Sequence, residues 1–234
     1  MIPNGYKKAV TFSFDDGVTQ DVRLIGILDK YGLKCTFNLN SELLGLPGSL
    51  VRGGVRVDHN KVEKNDVRTI YSGHEVAVHT LRHPNLTVLD EDEVVRQVEQ
   101  DRLNLSSLCG YEVIGMAYPC GGVNNDEHTA EIIKNRTGVR YARTIGQTHG
   151  FGRRDNLYRY DPTVYHVELD ELFSLGGEFI SLDASDCDDV QVFYIWGHSY
   201  EFDIADTWSR FEEFCRFIGG KDDIFYGTNR DVLL

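Results

Sequence analysis

The run Val10-Thr11-Phe12-Ser13-Phe14-Asp15-Asp16-Gly17 decides how this chain folds. β-Branched and aromatic residues make a strand, and two adjacent carboxylates close it at a glycine turn. A second run ends in a similar way. Val76-Ala77-Val78 leads into His79-Thr80-Leu81-Arg82-His83-Pro84, which carries two histidines four residues apart. Tyr118-Pro119-Cys120-Gly121-Gly122 ends a strand-like run that begins at 113, and His198 follows the continuous apolar run 190–196. Chemically capable residues therefore lie just past the ends of four strands. In a closed parallel barrel those ends share one face and the groups converge, whereas an open doubly wound sheet spreads them along an edge. The placement favours the barrel.

The rest of the pattern alternates around these strands. Thr19 or Asp21 can cap a helix that runs to about Tyr31, with Leu24, Ile25 and Leu28 on one face and Gly32 as its stop. Strands are expected at 33–39, Glu75–Val78, 139–143, 157–160 and Ile224–Tyr226. Helices are expected at 62–71, 90–108, 124–136, 165–173 and 205–218, the second with Val94, Val95, Val98 and Leu105 as its apolar stripe. Residues 40–60 are glycine-rich and read as a long irregular loop able to cover the site. Roughly eight strands alternating with about seven helices give an α/β fold wound by βα units. No repeat or linker interrupts it, so residues 1–234 read as a single domain.

At 234 residues, 41% hydrophobic and 26% charged, the chain suits one soluble globular core. The net charge of −13 argues against nucleic acid as a partner. It suits a neutral or cationic substrate, or serves solubility alone. No apolar run approaches the roughly 20 residues that cross a bilayer, so no membrane partner is expected. The first residues show no apolar signal segment, and the five cysteines are odd in number with no C-x-x-C pair. A reduced, cytoplasmic chain is the expectation.

Adjacent carboxylates at the end of a buried strand repel one another and are costly unless a cation compensates. Adjacent aspartates also cap helices, which is the plainer use of Asp16. Pro84 keeps His79 and His83 on a turn rather than inside a helix. Two imidazoles and a carboxylate are a good donor set for a divalent transition ion. With Asp16 as a ligand, Asp15 stays free to take a proton from water. His198, as an imidazole at a strand end, suits a general acid, although lone histidines are usually structural. The turn at Cys120 is a simple loop or offers a backbone N–H to a developing oxyanion. His74 lies five residues before His79, so there is no H-E-x-x-H helix, and His74 reads as a structural histidine.

Thr11-Phe12-Ser13-Phe14-Asp15-Asp16-Gly17 resembles the T-F-D-D-G signature of the polysaccharide deacetylases, the NodB-homology domains of carbohydrate esterase family 4. Gly73-His74-Glu75 with His79-Thr80-Leu81-Arg82-His83-Pro84 resembles that family's G-H-E…H-[ST]-x-x-H-P block. His198 and the ending Phe225-Tyr226-Gly227-Thr228-Asn229 also fit. The resemblance implies a deformed (β/α)7–8 barrel and a metal-dependent hydrolase that removes N- or O-linked acetyl groups from a carbohydrate. It places the metal on Asp16, His79 and His83, with zinc expected first and cobalt or nickel as other first-row ions. It makes Asp15 the base, His198 the acid and the Cys120 N–H an oxyanion donor. Tyr118 and Trp196 are candidate substrate contacts.

Two departures stand out. Ala117-Tyr118-Pro119-Cys120-Gly121 occupies the place of the family's R-x-P-[YFW]-G, so Ala117 replaces an arginine and Cys120 an aromatic residue. No D-W motif follows, and Arg140 or Arg143 is left to supply a charge near Asp15. These departures leave room for a hydrolase of C–N bonds in small or cyclic amides. A non-catalytic carbohydrate-binding relative is a third reading, with Trp196, Trp208, Tyr118, Tyr200 and Phe202 as possible stacking surfaces. A dead relative would be expected to have lost a ligand or the base, and this chain keeps both.

Overall fold

The computed structural model of the protein describes residue 2 and residues 5–234. In chain order the elements begin with β1 (Lys8–Asp15), α1 (Asp21–Lys30), β2 (Cys35–Leu39), β3 (Ser49–Arg52), β4 (Val55–Asp58), α2 (Val67–Ile70) and β5 (Glu75–Val78). Then come α3 (Glu91–Val95), α4 (Asp101–Cys109), β6 (Gly115–Ala117), α5 (Glu127–Arg136), β7 (Tyr141–Arg143), β8 (Val164–Tyr165) and α6 (Leu169–Ser181). The chain ends with β9 (Gln191–Gly197), α7 (Glu201–Ala205), α8 (Trp208–Ile218), β10 (Ile224–Tyr226) and α9 (Asn229–Leu233).

Eight strands form one parallel sheet in the order β7-β6-β5-β2-β1-β9-β8, with β10 also on β1. The β10 strand takes Lys8–Val10 and β2 takes Phe12–Asp15, while β9 pairs along Lys8–Phe14. The sheet curls until its edges nearly meet. Tyr160 bridges to Arg143 on β7, and three residues later the Thr163 N–H donates to Tyr194 O on β9. This is the deformed barrel expected from the motif positions.

Alternation along β1 sets the two sides of the wall. Val10, Phe12 and Phe14 join the apolar layer beneath the helices, which includes Leu24, Leu28, Phe179, Phe211 and Phe214. Thr11, Ser13 and Asp15 fall on the other side, which is polar and fully hydrogen-bonded at Ser13 and Thr11. Asn38 Nδ2 donates to Ser13 Oγ at 2.8 Å, and Thr11 donates to Asn229 Oδ1 at 2.8 Å. Asn229 begins α9 and also meets Thr36 and Tyr194, so the C-terminal helix closes the end of the barrel opposite the site. Its N-terminus is fixed by a capping box between Thr228 and Asp231.

Several local expectations are corrected. Residues 49–58 are not an irregular loop but an antiparallel hairpin, β3–β4, with Gly53 and Gly54 at φ +56° and +81°. That is the geometry of a two-residue hairpin turn, open to glycine pairs. Leu157–Arg159 form a 3₁₀ turn rather than a strand, because Asn156 caps it by accepting from Tyr158 N, and only Tyr160 keeps a bridge to the sheet. Tyr165 ends β8 instead of starting a helix, and α6 begins only at Leu169. Neither Thr19 nor Asp21 caps α1. Asp21 is buried and accepts from Tyr71 and Ser199. The helix begun at Asp90 runs to Cys109 through a π-helical stretch, Arg96–Gln100. Asp206, at φ +51°, divides the expected 205–218 helix from α7. Among the described residues no helix is long and apolar enough to cross a membrane.

Candidate active site

Asp15 is the last residue of β1, and Asp16 follows at φ +83°. A regular strand would turn consecutive side chains to opposite faces. The left-handed step brings both carboxylates to the same rim. Gly17, at φ +61°, continues the turn where a Cβ would lie 2.7 Å from Leu39.

His79 follows β5 directly. Its backbone N–H donates to Leu39 O at 2.8 Å, and its Nδ1 lies 2.9 Å from Ala117 O. A carbonyl only accepts, so Nδ1 carries the proton and the Nε2 lone pair faces the rim. Burial pushes the His79 imidazolium down to about 4, which keeps the ring neutral. His83 sits at φ +64° after Thr80 at φ +69°. Asn40 Nδ2 holds that loop by donating to Thr80 O at 3.0 Å, and Thr80 Oγ1 accepts from His83 N at 3.0 Å. Among the described residues six non-glycines have positive φ, and four of them (Asp16, Thr80, His83 and Cys120) ring this site. Each costs of order 1 kcal/mol, so the strain is concentrated where the side chains must converge.

Asp16 Oδ1 lies 4.0 Å from His79 Nε2 and 3.7 Å from His83 Nε2, and the three donor atoms fall within 4.8 Å of one another. Tetrahedral ligands at about 2.1 Å from an ion are roughly 3.4 Å apart, so this set is a slightly open cradle for one. Neutral imidazole donors, with the His79 tautomer fixed by Ala117 O, and an ionised carboxylate fit a divalent ion.

Asp15 is held apart from that set. Arg143 NH2 grips both its oxygens, and Asn38 Nδ2 donates to Oδ1 at 2.7 Å. Burial raises the Asp15 carboxyl, but the Arg143 guanidinium, with His79 and His198 nearby, brings it below the ordinary value. Arg143 is the Cα partner of Ala117 on the neighbouring strand, so the cation absent at 117 is supplied one strand over. Arg140 lies instead beside Glu112 and Arg230, near the far end of the barrel.

Asp15, Asp16, His79 and His83 line a pocket of about 320 Å³ together with Cys120, Tyr165, Trp196 and His198. The Cys120 N–H finds no acceptor among the described residues, and its Sγ lies 3.8 Å from His83 Nδ1. Trp196 stacks on Tyr165 at 4.4 Å between ring centres, and the Arg143 guanidinium lies 4.6 Å from the Trp196 ring centre. Tyr118 shows only its ring to the pocket, since its hydroxyl donates to Tyr158 O at 2.9 Å. Trp208 and Phe202 are buried in the core. His74 is structural, as expected: its Nδ1 accepts from Cys35 N at 3.2 Å.

Four functional neighbours lie outside the motifs read from the sequence. His59 Nε2 lies 3.1 Å from Asp16 Oδ2, and Lys61 Nζ donates to Asp16 O at 2.7 Å. Both reach the site because the chain leaving β4 pairs back on residues 17–19. Burial opposes ionisation of Asp16, yet His59, Lys61 and the other histidines hold its carboxyl well below the ordinary value. Glu201, the first residue of α7, lies 3.1 Å from His198 Nδ1 and also receives Arg52 of the hairpin. The Gly53-Gly54 pair between alternating residues was the available signal for the hairpin.

Comparison with known proteins bears on this arrangement. The polysaccharide deacetylase family profile matches residues 3–142. The chain is 29% identical over 218 residues to the peptidoglycan-N-acetylglucosamine deacetylase PgdA of Listeria monocytogenes, covering 86% of this chain. It spans 42% of that relative's length. A Mycobacterium smegmatis structure provisionally assigned as a polysaccharide deacetylase superposes with a TM-score of 0.70 at 16% identity, covering 100% of this chain and 91% of the other. A family 4 carbohydrate esterase from Streptomyces lividans, solved with acetate, gives a TM-score of 0.57 at 14% identity over 95% of this chain and 93% of the other. At these identities the structures speak for the fold.

Proposed function

This chain belongs to the polysaccharide deacetylase family, and on that premise we propose that it is a metal-dependent hydrolase removing acetyl groups from a carbohydrate, with N-acetylated amino sugars as the first substrate class. The observation that carries the reading is one rim holding three parts. They are a three-donor set, a separate carboxylate fixed by an arginine, and an imidazole fixed by another carboxylate. The kinship with a peptidoglycan N-acetylglucosamine deacetylase supports the amide over the ester.

Asp16, His79 and His83 would hold the ion, and two nitrogens with one oxygen suit zinc, with cobalt or nickel next. A bound ion would supply Lewis-acid polarisation of the acetyl carbonyl and a water of lowered pKa. Asp15 accepts the proton of the attacking water. Arg143 and Asn38 hold its oxygens in place and keep it ionised at neutral pH. The Cys120 N–H faces the developing oxyanion. His198 gives a proton to the departing amine, which leaves as the free sugar amine beside acetate.

The test is acetate release from N-acetylglucosamine, chitooligosaccharides, acetylated xylan and small cyclic amides. Release from the sugars supports the reading and separates N- from O-acetyl. Ammonia or ring opening from the amides without acetate replaces it with the amide hydrolase. No turnover from a metal-loaded chain leaves the carbohydrate-binding reading.

A further inference from the structure

We propose that Glu201 is the positioning residue of the acid half of the site: it fixes the His198 ring with Nδ1–H turned inward and Nε2 toward the pocket. This rests on the deacetylase reading above, in which His198 donates the proton.

Glu201 is a hub. Its Oε2 lies 3.1 Å from His198 Nδ1 and 3.0 Å from His166 Nε2. Its Oε1 accepts from Arg52 NH1 at 2.8 Å and from the Tyr165 hydroxyl. Four donors from three places in the chain converge on a carboxylate that is 6% exposed. An ionised carboxylate only accepts, so the nitrogen facing it carries a proton in either charge state of the ring. For His198 that nitrogen is Nδ1. The transferable proton is therefore confined to Nε2. Among the described residues nothing else fixes the ring so firmly. Its other contacts are the flanks of Trp196, Tyr200 and Tyr165, with centroids 5.2 to 6.2 Å away, and the Tyr165 hydroxyl at 3.4 Å.

The charges around His198 support the same role. Glu201 faces it from α7, Asp15 and Asp16 from the end of β1, Tyr165 and His166 from β8 and its exit, and Tyr200 from its own turn. His83 faces it from the β5 loop, and Arg52 stands behind Glu201. Burial favours the neutral ring, but Glu201 first, then Asp16 and Asp15, raise His198 above its ordinary value. His166 shares Oε2 without adding charge, since its burial lowers it and keeps it neutral. Close approach of His166 requires Gly197, where a Cβ would lie 1.8 Å from the ring.

The experiment compares Glu201→Gln, Glu201→Asp and wild type on two substrates, with melting temperature and metal content measured alongside. An N-acetyl sugar expels an amine that needs a proton, whereas 4-nitrophenyl acetate expels an anion that does not. Expected for Glu201→Gln is a kcat on the sugar lower by about 100-fold, a loss at least about tenfold smaller on the aryl ester, and an alkaline pH limb moved downward. Glu201→Asp recovers part of the sugar activity. Equal losses on both substrates, or no loss on either, would overturn the proposal. The wild-type His198 tautomer, read from its imidazole nitrogen shifts, needs no turnover and covers a variant that fails to fold. Nδ1–H is expected, and Nε2–H in the neutral ring overturns the proposal. Nδ1–H in a chain that releases no acetate would leave Glu201's role standing and remove the deacetylase reading.

Discussion

Arg143→Met keeps a long side chain against Trp196 but removes the charge from Asp15. Both partners are out of water: the Arg143 and Asp15 side chains are 0% and 3% exposed. Breaking a buried pair by removing one member costs about 3–5 kcal/mol, because the remaining charge is stranded. For a chain of this size that is roughly 10 °C in melting temperature. The pH dependence carries a sign. In wild type the folded Asp15 carboxyl lies below its unfolded value of 3.8, so it contributes stability above that value and loses it as pH falls through the folded pKa. Without Arg143, burial is the leading influence and raises the carboxyl, so the variant regains stability as acid neutralises Asp15. The gap between the two proteins should be widest near neutrality and shrink toward pH 4 in calorimetric melts across pH. Ala117→Arg, added to Arg143→Met, returns a guanidinium from the paired strand position and should recover part of the loss. A melting change under about 3 °C, or a gap that does not vary with pH, would refute this reasoning.

Asp15→Asn should cut acetate release by about 1,000-fold while leaving ion binding intact, measured by turnover and by calorimetric titration of zinc. His79→Ala or His83→Ala should weaken zinc binding by more than about tenfold and abolish release, read in the same two assays. Gly197→Ala drives a methyl into His166 and should cost about 1–3 kcal/mol, seen as a lower melting temperature. His198 is raised above 6.5, so the stability from its pairing with Glu201 is fully present below 6.5 and is lost as pH rises through the folded value. The alkaline limb of acetate release should therefore lie above pH 6.5 and move down in the Glu201→Gln variant.

The barrel and half of the site were legible because the informative residues are local. Asp15-Asp16 and His79-x-x-x-His83 each sit where one strand stops, so period-two alternation locates them and the common strand-end face brings them together. The other half is assembled by long-range contacts that have no local pattern. His59 and Lys61 meet Asp16 across more than 40 residues, and Arg143 meets Asp15 across 128. The sequence left Arg140 and Arg143 as equal candidates. Strand alternation on β7, with Arg143 in register beside Ala117, separates them only once the pairing is known. The hairpin is hard to see in the sequence because the glycine content of residues 40–60 masks the alternation that flanks Gly53-Gly54. Glu201 was within reach: it stands three residues after His198, at the start of a helix where an acidic residue is expected.

The most direct measurement is acetate release from an N-acetylated amino sugar by metal-stripped protein titrated with zinc. The expected result is no release without the ion, a rise in proportion to added zinc, and a plateau at about one ion per chain that Asp16→Asn, His79→Ala and His83→Ala do not reach. Full release by the stripped protein, unchanged by zinc and by those three substitutions, would contradict a metal-dependent deacetylase built on Asp16, His79 and His83.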